Sequence, residues 1–439
     1  VDEDMMSADE IDLLIDGPTI ITMDRDRQVI QQGVIAVYAD RIVQVLPSDA
    51  VSGEYTAKKV LRADGMVAIP GLINAHSHLA MTLFRGLAED LPLDRWLNKV
   101  WEYELSILDE RAVCTGFTLA LAEMIHSGVT CAHDMYWNFD ATMALAEEVG
   151  YRLISGPPMT DIGDIDPASM LAQARNTLER MDNFQFVYPV IQAHSVYTTS
   201  PEMMREVVAL KQEFDVPFTT HASETQVEVQ TAVEKYGMTP IELLRSYELL
   251  DEKSILAHCV HLCEDEIEII KRSRSHVAHC PESNLKLGSG IAPIAEMLAA
   301  GINVCVGTDG AASNNDLDML SELRTAALLQ KGIRQDPESL TTLEVMEMAT
   351  INAAKAYGLD QSIGSLEPGK QADIVLLGFQ KPHLTPVHDI YANLIYAANK
   401  ADIEAVIIGG KIHLEDGELT LIDEEKALED ARSISAKFH

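Results

Sequence analysis

Six short apolar runs in this 439-residue chain finish in histidine, and a seventh finishes in aspartate. They are Leu72–His76, Val129–His133, Val187–His194, Pro217–His221, Ser254–His258, His276–His279 and Asn303–Asp309. Imidazole and carboxylate are ligands that divalent metals of the zinc type prefer. His76-Ser77-His78 is the densest part of the pattern. Residues i and i+2 of a strand face the same side, so both rings can grip one ion. An HxH pair alone is a weak signal, but with His221 and Asp309 it becomes three nitrogens and one carboxylate. That set leaves room for water and suits Zn2+, one ion per subunit, while ligand type alone also admits Fe2+ or Mn2+. No lysine stands between Lys99 and Lys211, so the second to fourth runs offer no carboxylated lysine to bridge two metals. Glu123 is conceivable as a bridge, but its segment reads as helix, which favours a mononuclear centre. His133 and His279 keep the plainer reading of buried hydrogen-bonding groups.

For these side chains to meet, the strands that carry them must end on one rim. Arg152–Ser155 brings the apolar runs to eight. The stretches between them, such as Ala112–His126, Pro201–Phe214 and Thr239–Leu250, space apolar residues at i, i+3 and i+4, as helices do. Eight alternating β and α units predict a parallel (β/α)8 barrel of the TIM type over residues 66–369, with all strand C-termini on one face. A doubly wound open sheet is the alternative, and it leaves the repeated terminal histidines without a reason. Outside the barrel, short strands are expected at Ile11–Ile15, Thr19–Thr22, Val34–Val37 and Ile42–Leu46, and again at Asp373–Leu377, Ile403–Ile408 and Lys411–Leu414. Neither set makes a comfortable domain alone, so residues 1–65 and 370–439 are expected to pair into one small β-sandwich. The first sixteen residues hold seven acids and no Lys or Arg and read partly as a solvated tail. Asp423–Lys437 reads as a charged amphipathic helix on the surface.

The balance of 33 Lys+Arg against 69 Asp+Glu gives a formal charge of −36. Such a surface repels phosphate backbones and argues against nucleic-acid binding through a broad basic face. No apolar run reaches the roughly 18 residues that a membrane span needs, and the acidic start is the opposite of a secretory leader. Six cysteines in so long a chain make no disulfide framework; several lie in strand-like runs and read as free buried thiols. Cys259 and Cys263 have no partner pair and read as structural, and Gly288-Ser-Gly290 lacks the Lys-Ser/Thr of a phosphate loop. The expectation is a cytoplasmic protein acting on a small molecule, with no membrane or nucleic-acid partner and with a homo-oligomer left open.

Pro70-Gly-Leu-Ile-Asn-Ala-His-Ser-His78, His221-Ala-Ser-Glu224, Ala257-His-Cys259, Ser283-Asn-Leu-Lys-Leu-Gly288 and Gly307-Thr-Asp-Gly-Ala-Ala-Ser-Asn-Asn315 together resemble the amidohydrolase superfamily. More narrowly, they look like its 5′-methylthioadenosine / S-adenosylhomocysteine deaminases. The resemblance covers almost the whole chain. It implies zinc held by His76, His78, His221 and Asp309, His258 beside the metal's water, and Glu224 as the proton shuttle. It also implies Glu104 on the ribose hydroxyls, with His194 and Ser313 near the purine. The chemistry of the residues agrees. Zinc can bring the pKa of water to about 7. Attack at C6 of an adenine puts charge on the ring nitrogen, so a carboxylic acid must protonate N1 and the amine must leave as ammonia. Glu224 is the candidate for those transfers, with Asp309 and His258 orienting or deprotonating the water. The expected catalytic set is thus Glu224, His258 and Asp309, and the expected substrate contacts are Glu104, His194, Glu224, Asp309 and Ser313.

Departures from the family bear on the substrate. Members that take S-adenosylhomocysteine place arginines after the third strand to hold its carboxylate, whereas Ser155–Asp166 here contains none, and Pro157 stands where one is expected. Asp161, Asp164 and Asp166 in the same loop would oppose a carboxylate, and Arg152 belongs at the far end of its strand. A preference for 5′-methylthioadenosine or adenosine follows. Guanine deaminases and triazine-type chlorohydrolases on the same scaffold are the nearest alternatives. Glu224 speaks for loss of an amine, because chloride leaves without a proton, and Glu104 speaks for a nucleoside over a free base. A non-catalytic barrel scaffold is the alternative of another class, and the full ligand set argues against it. Trp96 and Trp101 suit either an apolar wall for a methylthio group or plain packing.

Overall fold

In the computed structural model the described residues are 10–50, 55–161 and 166–438; the tail expected before Glu10 and Asp164 of the acidic loop lie outside them. Eight parallel strands form a ring: Leu72–Asn74, Val129–Asp134, Arg152–Ser155, Ile191–Ser195, Phe218–Ala222, Ser254–His258, His276–His279 and Val304–Val306. Neighbouring strands pair in parallel, with the fourth run divided at Val190 into Val187–Pro189, which pairs with the third strand, and Ile191–Ser195, which pairs with the fifth. Side chains alternate as strand geometry requires. Ile73, Cys131, Ile154, Val190, Ile255, Ala278 and Cys305 fill the interior, while their neighbours Leu72, Ala132, Leu153, Ile191, Leu256, Val277 and Val304 pack against the helices. All six cysteines are free thiols.

The helices between strands start where their caps dictate. Asp109 accepts from Ala112 N and opens Glu110–His126; Ser200 accepts from Met203 N and opens Pro201–Phe214. The helix expected to run from Thr239 to Leu250 is shorter, Pro240–Ser246, entered through a Thr239/Glu242 capping box. The C-terminal helix Glu424–Ser435 lays Ala431 and Ile434 on Leu83 and Ala112 at the barrel's flank. No helix among the described residues is long and apolar enough to cross a membrane.

Strands from both chain ends build a second layered unit. One sheet orders Arg41–Pro47, Gly33–Tyr38, Glu10–Asp16 and Thr56–Arg62. The other runs from Glu418–Leu419 through Lys411–Glu415, Ile403–Ile408, Ile374–Gly378, Met66–Pro70 and Thr19–Ile21 to Val29–Ile30. Leu13, Ile15, Ile35, Ala68, Ile374, Leu376 and Ile407 share its core. The junction is the antiparallel pairing of Met66–Pro70 with Ile374–Gly378, since Met66–Pro70 leads straight into the first barrel strand.

Arg152 pins this unit to the barrel floor. It begins its strand and lies, as expected, away from the rim that carries the histidines. Its Nε and Nη2 donate to Asp373 at 2.6 and 2.9 Å, and both side chains are buried. Asp373 Oδ1 also accepts from Gly409 N at 2.8 Å. A buried pair broken on one side leaves an uncompensated charge. Asp373→Ala should therefore lower unfolding stability by about 3–5 kcal/mol, whereas the paired apolar replacement Arg152→Met with Asp373→Leu should cost far less. Urea unfolding of the two variants checks this; equal losses would show that the charge pairing is not what matters there.

Candidate metal centre and active site

The ring closes at the site itself. Asp309–Gly310 pairs in parallel with Ser77–His78, and Asp309 N donates to the His76 carbonyl at 2.9 Å. Gly307 makes this approach possible, since a Cβ there would sit 2.6 Å from His76 N and 2.7 Å from its oxygen. Three non-glycine residues at the mouth take left-handed backbone, Ser223 (φ 52°), His258 (φ 73°) and Asp309 (φ 61°). Such conformations are uncommon and cluster at functional sites. In the sixth strand Ile255 faces inward and Leu256 outward, so strict alternation would turn His258 out of the barrel. The left-handed turn brings it onto the cavity wall instead.

His76, His78, His221 and Asp309 are all buried, and their ligand atoms lie within 4.8 Å of one another. Asp309 Oδ1 is 3.2 Å from His78 Nε2 and 3.6 Å from His76 Nε2. His78 Nδ1 donates to the Met135 carbonyl at 2.7 Å and His221 Nδ1 to the His194 carbonyl at 2.6 Å. Both rings therefore turn the Nε2 lone pair to the centre, and those two nitrogens stand only 3.2 Å apart. Two nitrogens at that distance need a proton or a metal ion between them: against its burial, Asp309 lifts His78 to about 8, and a divalent metal would displace that proton. Asp309 Oδ2 is held by the hydroxyls of Ser283 (2.6 Å) and Ser313 (2.7 Å), which leaves Oδ1 to the histidines. Both nitrogens of His76 lack a hydrogen-bond partner despite complete burial, an arrangement that costs free energy unless something else satisfies them. Burial pushes His76 down to about 4 and His221 well below its ordinary value, so both are neutral and able to ligate at pH 7. The donor set fits one divalent metal. Glu123 takes no part: it sits on helix Glu110–His126 and pairs with Arg85.

His133 lies behind the cluster, stacked on His76 with ring centroids 5.6 Å apart and bonded through Nε2 to Gln192 Oε1 at 2.9 Å. His279 is buried and outside the ligand set.

A cavity opens over the four ligands. Glu224, His258 and His194 wall one side, and Trp96, Trp101 and Glu104 approach it from helix Leu93–Ile107. Glu224 Oε2 is 3.9 Å from His258 Nε2, and burial pushes the Glu224 carboxyl above its usual range, towards the form that can donate a proton. Glu104 is raised by burial as well; Tyr136 donates to one of its oxygens at 2.7 Å and Trp137 approaches the other at 3.5 Å. His194 Nδ1 meets the Thr198 hydroxyl at 2.9 Å. Ser313, expected near the purine, is not on the cavity wall, and its hydroxyl is committed to Asp309. The loop acids also do something other than expected. Asp161 accepts from Ser200 N and Asp166 caps helix Pro167–Glu179, so neither faces the cavity. No arginine or lysine among the described residues lines it.

Several supporting residues escape sequence reasoning. Ser283 and Asn284, on the short helix Pro281–Lys286 after the seventh strand, and Ser289 just beyond it reach Asp309, His258 and Glu224. Their motif is visible in the sequence, but their targets are not. Glu228 accepts from the backbone of Ser223 (3.1 Å) and Glu224 (2.7 Å), and burial pushes it up to about 7. The signal for it, Thr225-Gln-Val-Glu228, is that of an ordinary helix start.

Residues 67–413 match the model of the amidohydrolase family. The chain is 42% identical over 416 residues to a Moorella thermoacetica protein named 5-methylthioadenosine/S-adenosylhomocysteine deaminase, covering 94% of this chain and 96% of that one. It is 40% identical to a Methanothermobacter thermautotrophicus protein named 5′-deoxyadenosine deaminase, over 98% and 99% of the two chains. The crystal structure of an adenosine deaminase from Xanthomonas campestris with bound zinc superposes with a TM-score of 0.95 at 34% identity, covering 98% of this chain and 99% of that one.

A ligand that binds only the folded state raises its stability. Adding Zn2+ to chelator-treated protein should raise the melting temperature and restore metal content by elemental analysis, and His221→Ala should abolish the rise. A variant that keeps the full rise would remove His221 from the ligand set.

Proposed function

The chain belongs to the amidohydrolase family, and we propose that it hydrolyses the 6-amino group of an adenosine-type nucleoside, using zinc, to give the inosine analogue and ammonia. The observation that carries this reading is the buried Glu224 carboxyl, 3.9 Å from His258 Nε2 and opening on the same cavity as the ligand cluster. A divalent metal held by His76, His78, His221 and Asp309 would supply the Lewis acidity that makes water nucleophilic near pH 7. His258 Nε2 takes a proton from the attacking water, which Asp309 helps to orient. Glu224 protonates ring N1 as oxygen adds at C6. The proton taken from the water then passes to the departing amine, which leaves as ammonia, while the C6 hydroxyl returns its proton to Glu224 and becomes the carbonyl of the inosine analogue. Glu104, held by Tyr136, and His194 both line the cavity, where Glu104 would meet the sugar hydroxyls and His194 would border the purine. The catalytic barrel spans the strands from Leu72–Asn74 to Val304–Val306, and the strand Met66–Pro70, expected within it, belongs to the β-unit instead.

The 5′ end of the substrate is uncharged on this reading. Met81, Leu97 and Leu287 line the cavity, and among the described residues no arginine or lysine is there to meet a carboxylate. 5′-Methylthioadenosine, adenosine and the 5′-deoxy analogue fit better than S-adenosylhomocysteine. Guanine and chlorotriazines are disfavoured because neither makes use of both Glu104 and Glu224.

A substrate panel followed by ammonia release tests the proposal. Leaving a carboxylate unpaired should lower kcat/KM for S-adenosylhomocysteine about tenfold or more below that for 5′-methylthioadenosine. Glu224→Gln should lower kcat about 10³-fold, the scale of a lost general acid–base group. Equal rates on S-adenosylhomocysteine would overturn the substrate preference, and an active Glu224→Gln enzyme would overturn the mechanism.

A further inference from the structure

Three side chains of one segment, Ser283, Asn284 and Ser289, reach three different groups at the barrel mouth. Ser283 Oγ donates to Asp309 Oδ2 at 2.6 Å, His258 Nδ1 donates to Asn284 Oδ1 at 2.8 Å, and Ser289 Oγ donates to Glu224 Oε1 at 3.1 Å. All three are buried, and none lines the cavity. Whatever they contribute passes through the residue each one holds.

Glu224 and His258 are both two-atom groups, and each of these bonds occupies one atom and leaves the other to the cavity. A free carboxyl can present either oxygen, because the terminal torsion of glutamate is broad and roughly two-fold. With Oε1 taken by Ser289, the oxygen left is Oε2, on the side of His258 Nε2. A neutral imidazole has two tautomers, and the partner of one nitrogen decides which the other presents. An amide oxygen only accepts, so Asn284 Oδ1 keeps the proton on His258 Nδ1 and leaves the lone pair on Nε2. The segment is itself braced. Ser289 N donates to the Asn284 carbonyl at 2.9 Å, and His261 Nε2, from the loop after the sixth strand, donates to the Ser289 carbonyl at 2.7 Å. Left-handed glycines on either side, Gly288 (φ 67°) and Gly290 (φ 126°), let the chain turn sharply enough to present the serine.

We propose that Ser289 and Asn284 are positioning residues: Ser289 selects Oε2 of Glu224 as the atom that carries the proton, and Asn284 selects Nε2 of His258 as the atom that accepts one. The inference rests on the reading of Glu224 and His258 as proton carriers given above.

Double-mutant cycles test it, because a residue that acts through another has nothing left to do once that other is gone. Ser289→Ala and Asn284→Ala are each expected to lower kcat about 10–100-fold, the usual effect of removing a partner that orients a site residue, with KM changed less than about threefold. In a Glu224→Gln background Ser289→Ala should cost no more than about twofold further, and Asn284→Ala should behave likewise in a His258→Ala background. Metal content and melting temperature are measured alongside. A variant that loses its metal is replaced in the cycle by Ser289→Gly or Asn284→Ser. Single variants with parental kcat, or equal losses in both backgrounds, overturn the inference. Undiminished activity in Glu224→Gln alone overturns the underlying mechanism instead, so the two failures are distinct.

Discussion

Backbone hydrogen bonds between the first and last strands close the ring, from Ala75 N to the Val306 carbonyl and from Asp309 N to the His76 carbonyl, and the second of them also assembles the metal centre. An open sheet would leave His76 and Asp309 on opposite edges, so the ligand set exists only because the last strand returns to the first. Several local features serve that closure. Gly307 has no Cβ to strike His76, Asp309 adopts left-handed backbone, and Ser283 and Ser313 hold its second oxygen. Changes that disturb the seam act on fold and chemistry at once.

Two carboxyl groups on the cavity wall, Glu104 and Glu224, share one electrostatic device that the ligand Asp309, held well below the usual carboxylate range against its burial by His76 and His78, does not. Glu104 and Glu224 are buried and pushed upward, yet what touches them is neutral: the tyrosine and indole donors of Tyr136 and Trp137, and the hydroxyl of Ser289. Neutral donors steady a carboxyl without forcing it to stay ionised, which a guanidinium would do. On the barrel floor the choice is reversed, where Asp373 meets the guanidinium of Arg152 and serves only to hold the layers together.

Much of this was legible in the sequence because strand periodicity and strand-end histidines report on the same geometry. The runs ending at His133, His194, His221 and His258 converge as the barrel topology requires. Arg152 could be placed at the floor from its position at the start of a strand. Residues that act across loops were harder to read. Ser289 and Asn284 carry no periodic signal, and their partners are distant in sequence, so only the folded chain reveals what they hold. The left-handed turn at His258 was likewise hidden, since histidine has no strong preference that announces it. The loop acids misled because Asp161 and Asp166 answer the nearest backbone N–H groups and not a substrate.

The pairing of Met66–Pro70 with Ile374–Gly378 has a consequence for how the molecule is made. A nascent chain leaving the ribosome presents its first strands long before their partners exist, and domains that emerge early ordinarily fold first. Here one edge of Met66–Pro70 stays open until Ile374–Gly378 has been synthesised, although the strands before it already pair among themselves. Contacts of such long sequence separation are slow to form, and an open strand edge invites wrong pairing in the interval. The nascent molecule thus carries one exposed template for aggregation while the barrel is being made.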